Sequence, residues 1–300
     1  MSRPLNVVII GAAGRMGRAL VRAASELPGE VVITGAVAST TSASLGQDAG
    51  ELAGTGRIDV RVTDDLAAAL ARAEVVLDFS QPHATRSNLT VCRAARKPLL
   101  IGTTGYPPEL TSLFDAAATE IPLLVAPNTS IGVTLLIELT RMAAKALPAD
   151  FDIEIVEAHH RMKKDAPSGT ALALGKAAAQ GRGLPEGAVA KAAGIVQTPV
   201  GGSATAGSAA SGTAASVGSA HGRSGARNPG DLGFAVIRGG DIVGDHTVLF
   251  AGTGEQVSLG HRVTDRAIFA RGALQASLWL ASRSPGRFFM RDFLGLKTGA

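Results

Sequence analysis

The sequence predicts an α/β fold in two parts, a parallel sheet over the N-terminal residues and an α+β region with a mainly antiparallel sheet beyond them. Three observations predict it. Short, continuous apolar runs recur through the first 125 residues, as strands buried on both faces require. Alanine-rich helical segments separate those runs. Past residue 150 the pattern changes, and residues 151–155 (FDIEI) alternate apolar with acidic residues, with period two.

The first run, residues 5–10 (LNVVII), leads into Gly11-Ala12-Ala13-Gly14-Arg15-Met16-Gly17 and then a helical pattern through Ala19, Leu20, Ala23 and Ala24. Strand, glycine turn and helix is the context of a dinucleotide fingerprint, in which the pyrophosphate rests on the helix N-terminus. The spacing is GxxGxxG, with Ala12 where the usual GxGxxG has its first glycine. Residues 31–37 read as a second strand, followed by Ser39, Thr40, Thr41 and Ser42. An acid at this point would bond the ribose hydroxyls and an arginine would pair with a 2′-phosphate; neither is present. The hydroxyls suit both, which predicts use of NADH or NADPH.

Residues 75–79, 99–101 and 123–125 are further buried strands. They end at Ser80-Gln81-Pro82, at Gly102-Thr103-Thr104-Gly105 and at Ala126-Pro127-Asn128-Thr129. Ligands of open parallel sheets bind at the carboxyl ends of the strands, and the ends here carry small or hydroxyl residues.

A helix through Leu135, Leu136, Leu139 and Met142 leads to residues 151–155 (FDIEI), which alternate as a strand. Next comes Glu157-Ala158-His159-His160-Arg161-Met162-Lys163-Lys164-Asp165-Ala166-Pro167-Ser168-Gly169-Thr170, read as the loop between that strand and a helix. Pro167 suits a helix opening, and Ser168 or Thr170 can cap it. Free amides at the helix start, two lysines and two histidines describe a site for a carboxylate-bearing substrate with a proton donor beside it. The bland alternative is a solvated basic loop with one core histidine. Residues 192–220 carry no charge and are largely Ala, Gly, Ser and Thr. Within them 200–220 reads as a flexible surface insertion. Order is expected to resume near Arg223, with strands of a mainly antiparallel sheet at 232–238, 246–250 and 256–263. A helix at 265–280 and a docked terminus at 290–294 complete the chain.

Bulk properties exclude several classes. The net charge of +4 comes from scattered basic residues, which suits anionic small molecules and predicts no nucleic-acid partner. No apolar run approaches the roughly 20 residues of a membrane span; residues 121–137 come nearest, and Pro122, Pro127 and Asn128 interrupt them. Cys92 is the only cysteine, which points to a reducing compartment and a cytoplasmic protein.

Taken in order, GAAGRMG at 11–17, DFS at 78–80, GTTG at 102–105, APN at 126–128, EAHHRMKKDAPSGTA at 157–171 and GDIVGDH at 240–246 resemble the dihydrodipicolinate reductase family. The resemblance covers nearly the whole chain except about 181–220, and the 157–171 run is its most specific part. It implies reduction of the cyclic imine 4-hydroxy-tetrahydrodipicolinate, a dicarboxylate, to tetrahydrodipicolinate with NADH or NADPH, in lysine and diaminopimelate synthesis. It implies a Rossmann domain from residues 1–130 and 265–300. Residues 131–264 would bind substrate and build a homotetramer.

His159 then resembles the family's proton donor, and Lys163 its catalytic lysine. His160, Gly169 and Thr170 resemble the substrate-carboxylate contacts. Gly11, Ala12, Ala13, Gly14, Arg15 and Met16 resemble the pyrophosphate loop. Gly102, Thr103, Thr104, Ala126, Pro127, Asn128 and Thr129 resemble the nicotinamide-side contacts, although Thr129 stands where the family usually has an aromatic residue. Ser39 and Thr40 lie where it often has Glu or Arg. No metal is implied. An amino-acid dehydrogenase of the same build would share the glycine turn but not the HHRMKKDAPSGT run, and a dinucleotide-sensing regulator would need a basic face.

Overall fold

The computed structural model describes residues 3–185, 187–189 and 232–296. The insertion expected at 200–220, and the resumption of order near Arg223, lie outside the described residues. The chain forms two compact units, residues 1–135 with 265–300, and residues 136–264.

The first unit is a parallel sheet of β1 (Leu5–Ile10), β2 (Val31–Val37), β3 (Val62–Thr63), β4 (Val75–Asp78), β5 (Leu99–Ile101), β6 (Pro122–Val125) and β11 (Gly286–Phe288). The strand order is β11-β6-β5-β4-β1-β2-β3, and every neighbouring pair is parallel. That is the 3-2-1-4-5-6 order of a Rossmann sheet with β11 added beyond β6. The continuous apolar runs have a direct cause, because successive side chains alternate between two cores. Val7 and Ile9 pack with α1 (Arg15–Ser25) and α8 (Ala267–Leu280), through Leu20, Val21, Ala273 and Leu274. Val8 and Ile10 pack on the other face with α4 (Thr85–Ala94) and α5 (Leu110–Ala118), through Leu89, Cys92 and Phe114. Each fully buried Val, Leu, Ile or Phe among them stabilises the fold by ~1.5–3 kcal/mol.

The second unit is a four-stranded sheet, ordered β10-β9-β7-β8, of β7 (Asp152–His159), β8 (Leu232–Arg238), β9 (Gly244–Gly252) and β10 (Glu255–Val263). β7 pairs with β9 antiparallel and with β8 parallel, and β9 pairs with β10 antiparallel. On the inner face Ile153, Ile155, Phe234, Val248 and Phe250 pack on Ala171, Leu174 and Ala178 of α7 (Gly169–Arg182). The outer face carries Val156, Ala158, Ala235, Ile237, Thr247 and Leu249, and Ile237 is 49% exposed. On α6 (Ile131–Ala146), Leu135, Leu139 and Met142 face outward, while Val133 and Leu136 are buried.

Two readings of the sequence change. Residues 157–159 belong to β7 rather than to a loop, because β8 and β9 pair with the strand along its whole length, as far as His159↔Arg238 and Ala158↔Asp245. Pro167 stands before the cap of α7, not at its first position; Ser168 is the N-cap. Among the described residues, no helix is long and apolar enough to cross a membrane.

Candidate active site

In a parallel sheet the carboxyl ends of β1, β2, β4, β5 and β6 share one edge. Residues 11–16, 39–40, 102–104 and 126–129 all follow those ends, so the four sequence-predicted nucleotide segments lie along one rim of the first unit. Gly11 has φ +83°, and a Cβ there would lie 2.5 Å from the Phe79 carbonyl oxygen. A Cβ on Gly17 would lie 2.3 Å from the Gly11 carbonyl oxygen. Only glycines let α1 start this close to the turn. Gly14 is the N-cap of α1 and brings no side-chain hydrogen bond to it. The first-turn amides therefore have no side-chain partner, as an anion site at a helix start needs. Arg15 is exposed at the head of the helix, and Met16 packs against the core below it.

Ser39 and Thr40 are exposed, with the Ser39 hydroxyl 3.3 Å from that of Thr41. Thr103 is buried and its hydroxyl donates to the Asp78 carbonyl at 3.3 Å. Asp78, also buried, accepts from the Ser80 amide at 2.9 Å and from Asn88 at 3.1 Å. Thr129 is tied to α8, because its hydroxyl donates to the Phe269 carbonyl at 2.6 Å. A Cβ on Gly272 would meet the Thr129 carbonyl oxygen at 2.0 Å. Asn128 accepts from the Ser130 amide at 2.9 Å. Ala126 is buried and Pro127 exposed.

The second unit gathers polar groups at the end of its inner face. β7 carries Ile153, Ile155, Glu157 and His159 on that face, so polar residues replace the apolar series where the strand ends. Glu157 is fully buried. Arg238 donates to both its oxygens, at 3.0 and 2.8 Å, and the Ser168 amide donates to Oε1 at 3.1 Å. His159 Nδ1 makes a short hydrogen bond with Oε2. Burial alone would raise the Glu157 carboxyl, but the bonds from His159 and Arg238 outweigh it and bring the pKa down to about 2.

His246 on β9 lies edge-on to the His159 ring, centroids 5.1 Å apart. Burial, with the charge of His159 adding to it, lowers His246 to about 4. Its Nε2 is 3.0 Å from the Ser168 hydroxyl, which itself accepts from the Ala171 amide at 3.2 Å.

Gly169 is exposed at the start of α7, with open space where a Cβ would stand, and Thr170 follows it half-buried. Lys163 donates to both Asp165 oxygens, at 2.9 and 2.7 Å. That bond holds the Asp165 carboxyl below its usual range. His160 is half-buried at the head of the same loop, and its carbonyl accepts from the Lys163 amide at 3.1 Å.

The fold thus brings His159, His160, Lys163, Gly169 and Thr170 to one end of one unit. Sequence reasoning missed Glu157, Arg238, Ser168 as a histidine partner, and His246. The available signal was the period-two series continuing through Glu157 and His159. Glu157, His159 and His246 could hold a metal, with ligand atoms within 4.8 Å of one another. Arg238 already supplies a cation for this carboxylate.

A Rossmann sheet with an open glycine turn, and a buried carboxylate–histidine pair beside the start of α7, fit a dinucleotide-dependent oxidoreductase. The chain belongs to the dihydrodipicolinate reductase family. Residues 5–129 match the family model "Dihydrodipicolinate reductase, N-terminus", and residues 132–294 match "Dihydrodipicolinate reductase, C-terminus". The 4-hydroxy-tetrahydrodipicolinate reductase of Alkalilimnicola ehrlichii is 47% identical over 97% of this chain and 98% of that protein. The 4-hydroxy-tetrahydrodipicolinate reductase 1 of Mesorhizobium japonicum is 46% identical over 97% of each. Among solved structures, the dipicolinate-bound dihydrodipicolinate reductase from Paenisporosarcina sp. TG-14 shares the fold. Its TM-score is 0.68 at 23% identity, over 95% of this chain and 97% of that one.

Proposed function

We infer that this protein reduces 4-hydroxy-tetrahydrodipicolinate to tetrahydrodipicolinate with NADH or NADPH, a step of lysine and diaminopimelate synthesis. The carrying observation is that the family resemblance runs through both units, at 47% identity over 97% of the chain. The overall change takes in one hydride and one proton and releases the 4-hydroxyl as water. A nicotinamide, when bound, supplies the hydride. The glycine turn fits such a cofactor, because Cβ atoms at Gly11 and Gly17 would fill the space between turn and helix.

The chain's residues have the remaining tasks. Residues 11–16 bind the pyrophosphate through backbone amides. Ser39 and Thr40 contact the adenosine ribose, and residues 102–104 and 126–129 line the nicotinamide side. The amides of Gly169 and Thr170, with His160, receive a substrate carboxylate. Lys163 exchanges Asp165 for the substrate and balances its charge. His159 supplies the proton, with Lys163 as second donor.

We further propose a homotetramer. The outer face of the second sheet, with Val156, Ala158, Ala235, Ile237 and Leu249, supports association between copies. A cytoplasmic location, with no nucleic-acid or membrane partner, suits the free, buried Cys92. The test is oxidation of NADH or NADPH by the purified protein with freshly generated substrate. Absence of turnover with both nucleotides would refute the reading.

A further inference from the structure

His159 has one ring nitrogen committed. Its Nδ1 meets Glu157 Oε2. The same carboxylate accepts from Arg238 at 3.0 and 2.8 Å and from the Ser168 amide at 3.1 Å, so its acceptor sites are filled and its position is fixed from three sides. Arg238 is itself anchored, donating to the Asp165 carbonyl at 2.8 Å. An ionised carboxylate can only accept, so the proton of this bond resides on Nδ1. The opposite nitrogen, Nε2, faces Gly244, where a Cβ would approach to 3.1 Å. Any side chain at 244 would crowd that nitrogen. His246, the ring nearest His159, is neutral and bonded to Ser168.

We propose that Glu157 is a positioning residue for His159, clamped by Arg238 so that the imidazole keeps its Nδ1–H tautomer and turns Nε2 to the substrate. A proton leaves from Nε2 to the substrate, and the ring left behind is the Nδ1–H neutral form that the carboxylate favours. The ring therefore need not rotate or exchange tautomers between turnovers. The logic is that of a buried carboxylate behind a catalytic histidine. The proposal rests on His159 being the proton donor.

The experiment is a double-mutant cycle on kcat with wild type, Glu157→Gln, His159→Ala and the double variant. Glu157→Gln should lower kcat on the order of a hundredfold, with nucleotide Kd unchanged, and should cost nothing further once His159 is alanine. Equal losses in both backgrounds would overturn the proposal, since a purely structural effect is indifferent to His159. Glu157→Gln leaves half-buried Arg238 without its anionic partner, so the same cycle is repeated with Glu157→Gln and Arg238→Met combined. A measurement on the intact protein stands beside it. In imidazole-15N-labelled wild type, the His159 signal, assigned by its loss in His159→Ala, should report the Nδ1–H tautomer in the neutral ring. An Nε2–H tautomer would sink the idea. Wild-type kcat in His159→Ala would instead remove the donor assignment, while the tautomer result still judges what Glu157 holds.

Discussion

The Ser168 hydroxyl stands 3.0 Å from His246 Nε2 while it caps α7 through the Ala171 amide. One oxygen thus ties the start of α7, the proposed carboxylate site, to the sheet that carries the histidines. Ser168→Ala should remove both bonds, at a cost of about 1–2 kcal/mol, and raise the substrate KM by loosening the amides of Gly169 and Thr170. Urea unfolding and steady-state kinetics on one preparation check this. Stability equal to wild type would mean that the cap contributes nothing.

His159→Ala and Lys163→Ala should each lower turnover on the order of a hundredfold or more, the usual loss when a positioned acid is removed. Nucleotide affinity, measured by fluorescence titration, should stay near wild type, because the proposed nucleotide segments lie in the other unit. Wild-type turnover in either variant would end that residue's assignment.

Thr170→Val removes a hydroxyl with little change of volume. The apparent KM for substrate should rise several-fold while the KM for nucleotide holds. An unchanged substrate KM would assign Thr170 to the helix start alone.

Acid should weaken the fold in two successive windows. His246 is held at about 4 in the fold against 6.5 in the open chain. The unfolded state binds that proton first, so stability falls as pH drops from about 6.5 to about 4. Glu157 is held at about 2 against 4.5. Its stabilisation is complete above 4.5 and is lost as pH falls from there toward 2. His246→Gln should flatten the upper window and leave the lower one. Urea midpoints across pH 3–7 read both, and an unaltered upper slope would mean that another group titrates there.

Cofactor choice should be loose. Ser39 and Thr40 are exposed hydroxyl residues; neither repels a 2′-phosphate as an acid would, nor pairs with it as an arginine would. The two kcat/KM values should agree within about tenfold, equivalent to roughly 1.4 kcal/mol. Ser39→Asp should shift the ratio toward NADH and Thr40→Arg toward NADPH. A wild-type ratio beyond about a hundredfold would reveal a residue elsewhere that reads the 2′ position.

The sequence was most legible where burial is symmetric. β1, β4, β5 and β6 stand out because both faces of each strand meet a core, as Val7 and Val8 do on opposite sides. β3 and β11 are edge strands of two and three residues, too short for a period to declare itself. The histidine–lysine loop was legible because its chemistry is dense in sequence. Glu157 stands inside that dense stretch, but its role does not show there, since its partner Arg238 lies 81 residues further on. His246 was hidden likewise, because antiparallel pairing opposite Glu157, not sequence proximity, brings it to the site.

The parallel pairing of β7 with β8 has a consequence for how this site tolerates change. His159 sits opposite Arg238, and Glu157 opposite Val236. A slip of one residue between these strands would set Ile237 opposite His159 and turn the guanidinium to the far side of the sheet. The carboxylate would then be stranded without its cation. The length of chain joining the two strands does not enter this condition at all. Alignment of the two strands to the residue, not nearness along the chain, is what keeps the carboxylate and its cation together.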